Sequence, residues 1–523
     1  MKRRNFLENI ASAFVLPVLV DGFSAKAFTG SSPFLNALLK VAGQTDRALV
    51  IIQLNGGNDG LNTVIPLDQL TTYMGLRSNI AIPEAKVLKL TNNQATGLHP
   101  AMTGLQKMYN DGKVSLIQGA SYPQPNFSHF RASDIWFTGA DSTQQLTTGW
   151  LGRYLETRFQ NYPDAYPNPQ MPDPLAIQIG YVASTALLAT KVSAATVIQN
   201  PDTFAQLIGE KPTVAPSDLP NTYSGKQIGF IRQQQVSSVQ YASQIKVAAA
   251  KATNKATYPT GNSLADQLKI VARLIAGGLQ TKVYYVTLGG FDTHAAQVMT
   301  TDTTVGDHAN LLRTLSDAIS VFQNDLELLG VADNVVGMTF SEFGRRPASN
   351  NSFGTDHGTS APMFVFGKNV KGGIIGTSPN LKDLDNGNLK MQYDFRQIYA
   401  SILNDWFGTE KTVTNTVLQR SFSTLPIFGA GAISGFEDQR FEEKSLILYP
   451  NPAVSTIVLE LDEIFVSTAL LRIIDMTGKI VMTQTVSPIQ QIPIDVSRFA
   501  SGKYVVRLEA GKKAYSGSLL VIH

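Results

Sequence analysis

Five times between residues 50 and 366 the chain returns to a short, almost unbroken apolar run, at 50–54, 114–117, 283–288, 335–340 and 363–366. Runs of this length without polar alternation suit strands buried on both faces, as in parallel sheets covered by helices on each side. The stretches between them carry the complementary signal. Leu311, Leu312, Leu315, Ile319, Phe322 and Leu326 recur at three- and four-residue spacing, which puts them on one stripe of an amphipathic helix. Strand and helix in alternation predict an α/β fold, a mostly parallel sheet flanked by helices.

That rhythm stops between 427 and 444, where Gly429-Ala430-Gly431-Ala432 and a charged stretch at 437–444 read as a linker. Beyond it come short strands, at 455–461, 470–475, 479–483, 503–509 and 516–522, with turn signals at Thr477-Gly478 and Ala510-Gly511. Residues 445–523 are therefore expected to form a small all-β sandwich. The stretch 200–261 is rich in Gln, Ser, Ala and Lys and reads as an inserted helical excursion or a lid, with no function assigned.

At the N-terminus, Lys2, Arg3 and Arg4 lead into an apolar stretch at 10–20 that ends near Ala25-Lys26-Ala27. This is the layout of a cleavable signal peptide over 1–27, with the mature chain starting near Phe28 and the first domain running over 28–426. The apolar stretch is too short to span a bilayer and Pro17 interrupts it. Arg3-Arg4-Asn5-Phe6-Leu7 also has a twin-arginine look, although Lys2 and Glu8 depart from the favoured flanks, so the general secretory route is slightly favoured. No other apolar run is long enough for a transmembrane helix. The 523 residues contain no cysteine, which excludes disulfides, thiolate metal ligands and a cysteine nucleophile. A formal charge of +3 gives no overall bias toward nucleic acid.

In open α/β sheets, ligand sites lie at the carboxyl ends of the strands. Asn58 and Asp59 follow the first run, Asp292 and His294 the third, and Glu342 the fourth, while Asp356 and His357 precede the fifth. Such oxygen and imidazole donors suit zinc, manganese, magnesium or calcium. A single Asp-His pair is more often a surface turn or a cap, but several clusters at strand ends argue for a site. Four of the six histidines, His129, His294, His308 and His357, fall in or beside these segments; His99 and His523 do not. Ser128 precedes a helix-like stretch that runs through Trp136. It reads equally as an N-cap or as a nucleophile among the free N–H groups of a helix start. His308 opens the amphipathic helix, as a ligand or as a helix-start residue. Arg131, Arg345 and Arg346 would bind an anionic substrate or form surface ion pairs.

Two resemblances add to this reading. Leu448-Tyr449-Pro450-Asn451-Pro452, Ile474-Asp475-Met476-Thr477-Gly478-Lys479 and Ser501-Gly502-Lys503-Tyr504 resemble the type A sorting domain of type IX secretion cargo. That resemblance implies recognition by the type IX secretion machinery and delivery through the periplasm to the cell surface or medium. Residues 47–425, through Leu54-Asn55-Gly56-Gly57-Asn58-Asp59-Gly60, Phe127-Ser128-His129-Phe130, Gly290-Phe291-Asp292-Thr293-His294, Ser341-Glu342-Phe343-Gly344-Arg345 and Asp356-His357-Gly358, resemble an exported bacterial family of unknown function. That family is placed in the alkaline phosphatase and sulfatase superfamily, which implies an alkaline-phosphatase-like fold and a divalent metal ion. The resemblance implies Asp59, Asp292, His294, Glu342 and His357 as metal ligands and Ser128 as the nucleophile. Where the superfamily has Asp followed by His, this chain has Glu342 followed by Phe343. A single-metal site, or one completed by His129 or His308, is the implied outcome. The expected function is secreted hydrolysis of a phosphate or sulfate ester, with His129 assisting proton transfer; the alternative is a non-catalytic exported binding protein that retains the fold.

Overall fold

The computed structural model describes residues 47–207, 222–429, 442–460, 469–475, 480–487, 491–510 and 513–522. The expected signal peptide with its twin-arginine segment, most of the expected linker, the Thr477-Gly478 turn, Gly511 and His523 lie outside the described residues. Two compact units are present, one spanning Asp46–Gly435 and the other including Phe436–His523.

In the larger unit, strand β1 (Ala48–Asn55) explains why its apolar run is unbroken. Leu49 and Ile51 enter one core with Trp136, Trp150 and Tyr399, whereas Val50, Ile52 and Leu54 enter a second core with helices α4 (Ser263–Ala276) and α5 (Asp307–Leu329). Successive side chains point to opposite faces, and here both faces are covered. Full burial of each such side chain is worth about 1.5–3 kcal/mol. The helix stripe lands as expected: Leu312, Leu315, Ile319, Phe322 and Leu326 are buried on α5 and Leu311 is half-buried. Asp307 complements the positive end of that helix, and Gly330 closes it in the left-handed region at φ 75.

The remaining main-sheet strands are β2 (Val114–Ser121), β3 (Ala176–Ile179), β4 (Ala195–Ile198), β5 (Val283–Gly289), β6 (Val335–Phe340), β9 (Ala361–Phe366), β10 (Gly373–Ile375) and β11 (Tyr393–Asp394). A separate hairpin pairs β7 (Arg345–Ser349) with β8 (Thr355–His357). The sheet order is β10-β2-β9-β6-β1-β5-β3-β4, and β11 also pairs with β2. Its pairings are parallel except those made by β9, which runs antiparallel to both β2 and β6. The run at 363–366, expected as a parallel strand, is thus corrected to an antiparallel one. An apolar run reports burial on both faces and carries no direction, so the misreading has a plain cause. β3 and β4, four residues each, escaped the sequence reading.

The 200–261 excursion is helical at Pro201–Leu207 and along α3 (Tyr223–Lys251), and irregular over 252–261. No helix among the described residues is long and apolar enough to cross a membrane.

Among its described residues the smaller unit holds a five-stranded and a three-stranded sheet. Ile457, Leu459, Leu471, Ile473, Ile492, Ile494, Val506, Leu508 and Leu519 share one core. Along Thr456–Glu460, burial alternates as a half-covered strand demands. The strand Glu442–Ser445 begins inside the stretch expected as linker and pairs in parallel with Lys513 to Ser516. Its charged composition hid it. Gln491–Asp495, interrupted by Pro493, was missed for a similar reason.

Candidate metal centre

Register brings the sequence-distant segments together. Asn55 at the end of β1 sits opposite Gly289 at the end of β5, and Gln53 opposite Phe340 at the end of β6, so the three following loops emerge side by side. β2 points the same way, and its exit leads to helix α2 (His129–Thr138). Because β9 is antiparallel, the residues just before it lie at this same edge. A parallel strand at 363–366 would have left His357 at the opposite edge; the reversed strand brings it to the site.

The glycines after β1 let these loops close on one another. Gly56 has φ +125, and a Cβ there would lie 2.4 Å from the backbone N of Asp292. Gly57 has φ +83, and its Cβ would meet the Phe343 ring at 2.3 Å. Either substitution strains the backbone and pushes apart segments that carry ligand-type side chains.

His129, Asp292 and His357 each offer one ligand atom, and those atoms lie within 4.8 Å of one another. His294 adjoins them, its Nε2 being 2.9 Å from His357 Nε2 and 3.2 Å from Asp292 Oδ1. His357 Nδ1 is 2.8 Å from the Phe127 carbonyl oxygen. A carbonyl only accepts, so Nδ1 carries the proton and Nε2 presents its lone pair beside Asp292, 3.4 Å away. His129 follows the same logic: Nδ1 lies 2.9 Å from Glu342 Oε1, and Nε2 lies 3.5 Å from Asp292 Oδ2. Tying one ring nitrogen to a carbonyl or carboxylate while freeing the other is how metal-binding histidines are oriented. Two donors at about 2.0–2.1 Å from a tetrahedral zinc stand roughly 3.4 Å apart, close to the separations here. The N and O donor set fits a divalent cation.

Electrostatics agree with that fit. Burial alone would raise the Asp292 carboxyl, but the Arg345 hydrogen bond and charge, with His294 and His129 nearby, outweigh it and hold the group below the usual range. Burial lowers His357 despite the opposing hydrogen bond to Phe127. A charged carboxylate and a neutral imidazole are the protonation states that metal binding needs.

Other expected site residues are placed differently. Asp59 is fully buried and is not among the clustered donors: Arg77 Nη1 donates to Oδ1 at 2.9 Å and to Oδ2 at 2.7 Å, and Gln297 donates to Oδ2 at 2.6 Å. Both oxygens are thus engaged. Asn58 accepts from Thr63 and lies 3.0 Å from His308 Nε2, and both it and His308 are buried. Burial pushes His308 down to about 4, so it stays a neutral partner of this inner network. Glu342, fully buried, accepts the Gly56 N–H at 2.9 Å and stands behind His129. His129, expected in proton transfer, stands among the ligand-type side chains. Asp356 is exposed beside His294, at 3.6 Å.

Arg345 is buried and binds the carbonyls of Gly57, Thr355 and Phe291 as well as Asp292 Oδ1 at 2.6 Å, lacing three loops together. Arg131 is held by Asp134 and by the carbonyls of Ser142 and Gln144. Ser128 caps α2 through its backbone position, yet its side chain makes no capping hydrogen bond and is exposed. Phe343 packs on His129 and His357, ring centroids 4.9 and 4.4 Å away. The Phe127 carbonyl, Arg77 and Gln297 were missed. The first is a backbone group, and the other two stand outside every motif.

Residues 232–424 match the model of a protein family of unknown function, DUF1501, and residues 447–522 match that of a secretion system C-terminal sorting domain. No curated protein matches the chain. Among solved structures it is similar to the PsFucS1 sulfatase from a Pseudoalteromonas species, at 10% identity and TM-score 0.32, covering 88% of this chain and 86% of that one. A protein in the alkaline phosphatase superfamily from Vibrio parahaemolyticus matches at 9% identity and TM-score 0.28, over 94% and 90% of the two chains. The lipoteichoic acid synthase LtaP from Listeria monocytogenes matches at 9% and 0.27, over 69% and 71%. The chain therefore joins a DUF1501 family segment to a secretion system C-terminal sorting domain.

Proposed function

We propose that this chain is an exported, metal-dependent hydrolase of phosphate or sulfate esters. The observation that carries the reading is the convergence of His129, Asp292 and His357, with both imidazoles oriented from behind by Glu342 and the Phe127 carbonyl. These three residues would hold a divalent ion, and His294 stands ready as a further donor. Such an ion, when bound, supplies positive charge to the anionic ester oxygens. Ser128, flanked in sequence by two residues that touch the cluster, offers an exposed hydroxyl with no capping bond at the start of a ten-residue helix. The free N–H groups there favour an anion, which suits Ser128 as nucleophile. Glu342 positions His129, and Arg345 positions Asp292. The sorting domain at 447–522 supports handling by the type IX secretion machinery and delivery to the cell surface or medium.

A second reading, a non-catalytic exported binding protein, draws support from one feature. Arg345 already places a guanidinium 2.6 Å from Asp292 Oδ1, where a metal would otherwise supply the positive charge. Metal analysis of the purified mature protein, together with assays on an aryl phosphate and an aryl sulfate, tests the choice. The hydrolase reading expects one bound divalent ion per chain and turnover that Ser128→Ala abolishes while the metal stays. Protein free of metal and of turnover would leave the binding reading.

A further inference from the structure

The larger unit has a cavity of about 630 Å³, between the C-terminal end of helix α1 (Thr103–Asn110), a turn at residues 91–92 and the edge strand β10. None of the clustered donors His129, Asp292, His294 and His357 lines it. We propose that this cavity is a binding site for an uncharged oligosaccharide.

Charge narrows the ligand first. The lining contains no Lys, Arg or His and a single carboxylate, Asp68. A phosphate, a sulfate or a nucleic acid would meet no countercharge there. Most of the lining side chains are amides and hydroxyls, and a lipid chain would offer no partner to the amide Nδ2 groups of Asn93 and Asn110. The volume lies within the roughly 300–1,000 Å³ usual for small-molecule sites.

Hydrogen bonding then fixes what the cavity presents. Asn110 Oδ1 accepts the Thr91 N–H at 2.9 Å, and Asn93 Oδ1 accepts the Thr96 N–H at 2.8 Å. A backbone N–H only donates, so each amide has its oxygen turned to the backbone. The Nδ2 groups of Asn93 and Asn110 have no partner among the described residues, and each keeps its donors for a ligand. Tyr109 adds a half-buried aromatic ring beside them, and Asp68 adds an acceptor. Fixed amide donors, one carboxylate acceptor and an aromatic surface match the alternating hydroxyls and C–H faces of a sugar.

The test uses the mature protein and isothermal titration with neutral hexasaccharides of glucose, mannose and xylose, plus a sulfated glucose hexasaccharide. At least one neutral probe should saturate with Kd below ~1 mM, and the sulfated probe should bind about tenfold more weakly than its neutral counterpart. Combining Asn93→Asp with Asn110→Asp keeps the oxygens that hold Thr96 and Thr91 while deleting the donors, and should weaken binding about tenfold. Tyr109→Leu should do the same. Circular dichroism confirms that each variant is folded. Failure of every neutral probe to saturate, equal or tighter binding of the sulfated probe, or parent-like affinity in the folded variants would each overturn the proposal.

Discussion

Asp59→Asn separates two roles that sequence position alone leaves merged. As a metal ligand, Asp59 would contribute chiefly to ion affinity; as the partner of Arg77, it contributes chiefly to stability. Both side chains of this ion pair are fully shielded from solvent. Removing one charge of such a pair costs about 3–5 kcal/mol, because the other charge stays buried without compensation. Arg77 would keep the Pro347 carbonyl at 2.8 Å, the Arg346 carbonyl at 2.7 Å and Asn62 Oδ1 at 3.1 Å. Those neutral acceptors favour the lower end, about 3 kcal/mol. Urea unfolding measures this cleanly, because all three tryptophans, Trp136, Trp150 and Trp406, lie in the larger unit and report on it alone. Metal stoichiometry is read on the same samples. The expected result is a loss of about 3 kcal/mol with bound metal unchanged. Loss of metal with stability within about 1 kcal/mol of the parent would refute the structural role and return Asp59 to the ligands.

Glu342→Gln should lower metal affinity about 10–100-fold, because the group that orients His129 loses its charge; calorimetry giving parent affinity would remove Glu342 from that role. Acid should destabilise the larger unit through His99 and His308, which burial holds at about 3 and about 4. Both are depressed below the unfolded value of about 6.5, so as pH falls through that value the unfolded chain takes up two protons that the folded chain refuses. Stability is complete above that pH, and falls by roughly 3 to 4 kcal/mol between pH 7.5 and pH 5. The His99→Gln/His308→Gln pair should flatten that slope in urea unfolding, and an unchanged slope would contradict the assignment. Deleting residues 445–523 should leave any ester hydrolysis intact and strand the protein in the periplasm, which cell fractionation reads directly; lost activity with export unchanged would reverse that division of labour.

What the sequence made legible follows from what strand periodicity can and cannot report. Unbroken apolar runs identify buried strands, and the rule that parallel strands expose ligand sites at their carboxyl ends led to Asp292, His294 and Glu342 without any fold in hand. Periodicity carries no strand direction, so 363–366 was misassigned, and His357 reaches the site because of the reversal that the run concealed. Nor does adjacency to a strand say which way a side chain turns. Asp59 and Glu342 both follow strands at the correct edge, yet one is taken inward by Arg77 and the other stands behind a histidine. Arg77 lies eighteen residues from Asp59 in a segment with no motif, and the pairing exists only because the chain between them folds back. The division at this edge then has a physical logic. Acids with buried, charge-satisfied oxygens cannot give them up to an ion cheaply, whereas Asp292, half exposed, keeps an oxygen turned toward His129. Exposure of the acceptor, set by loop packing against Gly56 and Gly57, therefore decides which carboxylate of an acidic cluster is left open to an ion, and that packing is a tertiary property that no local pattern encodes.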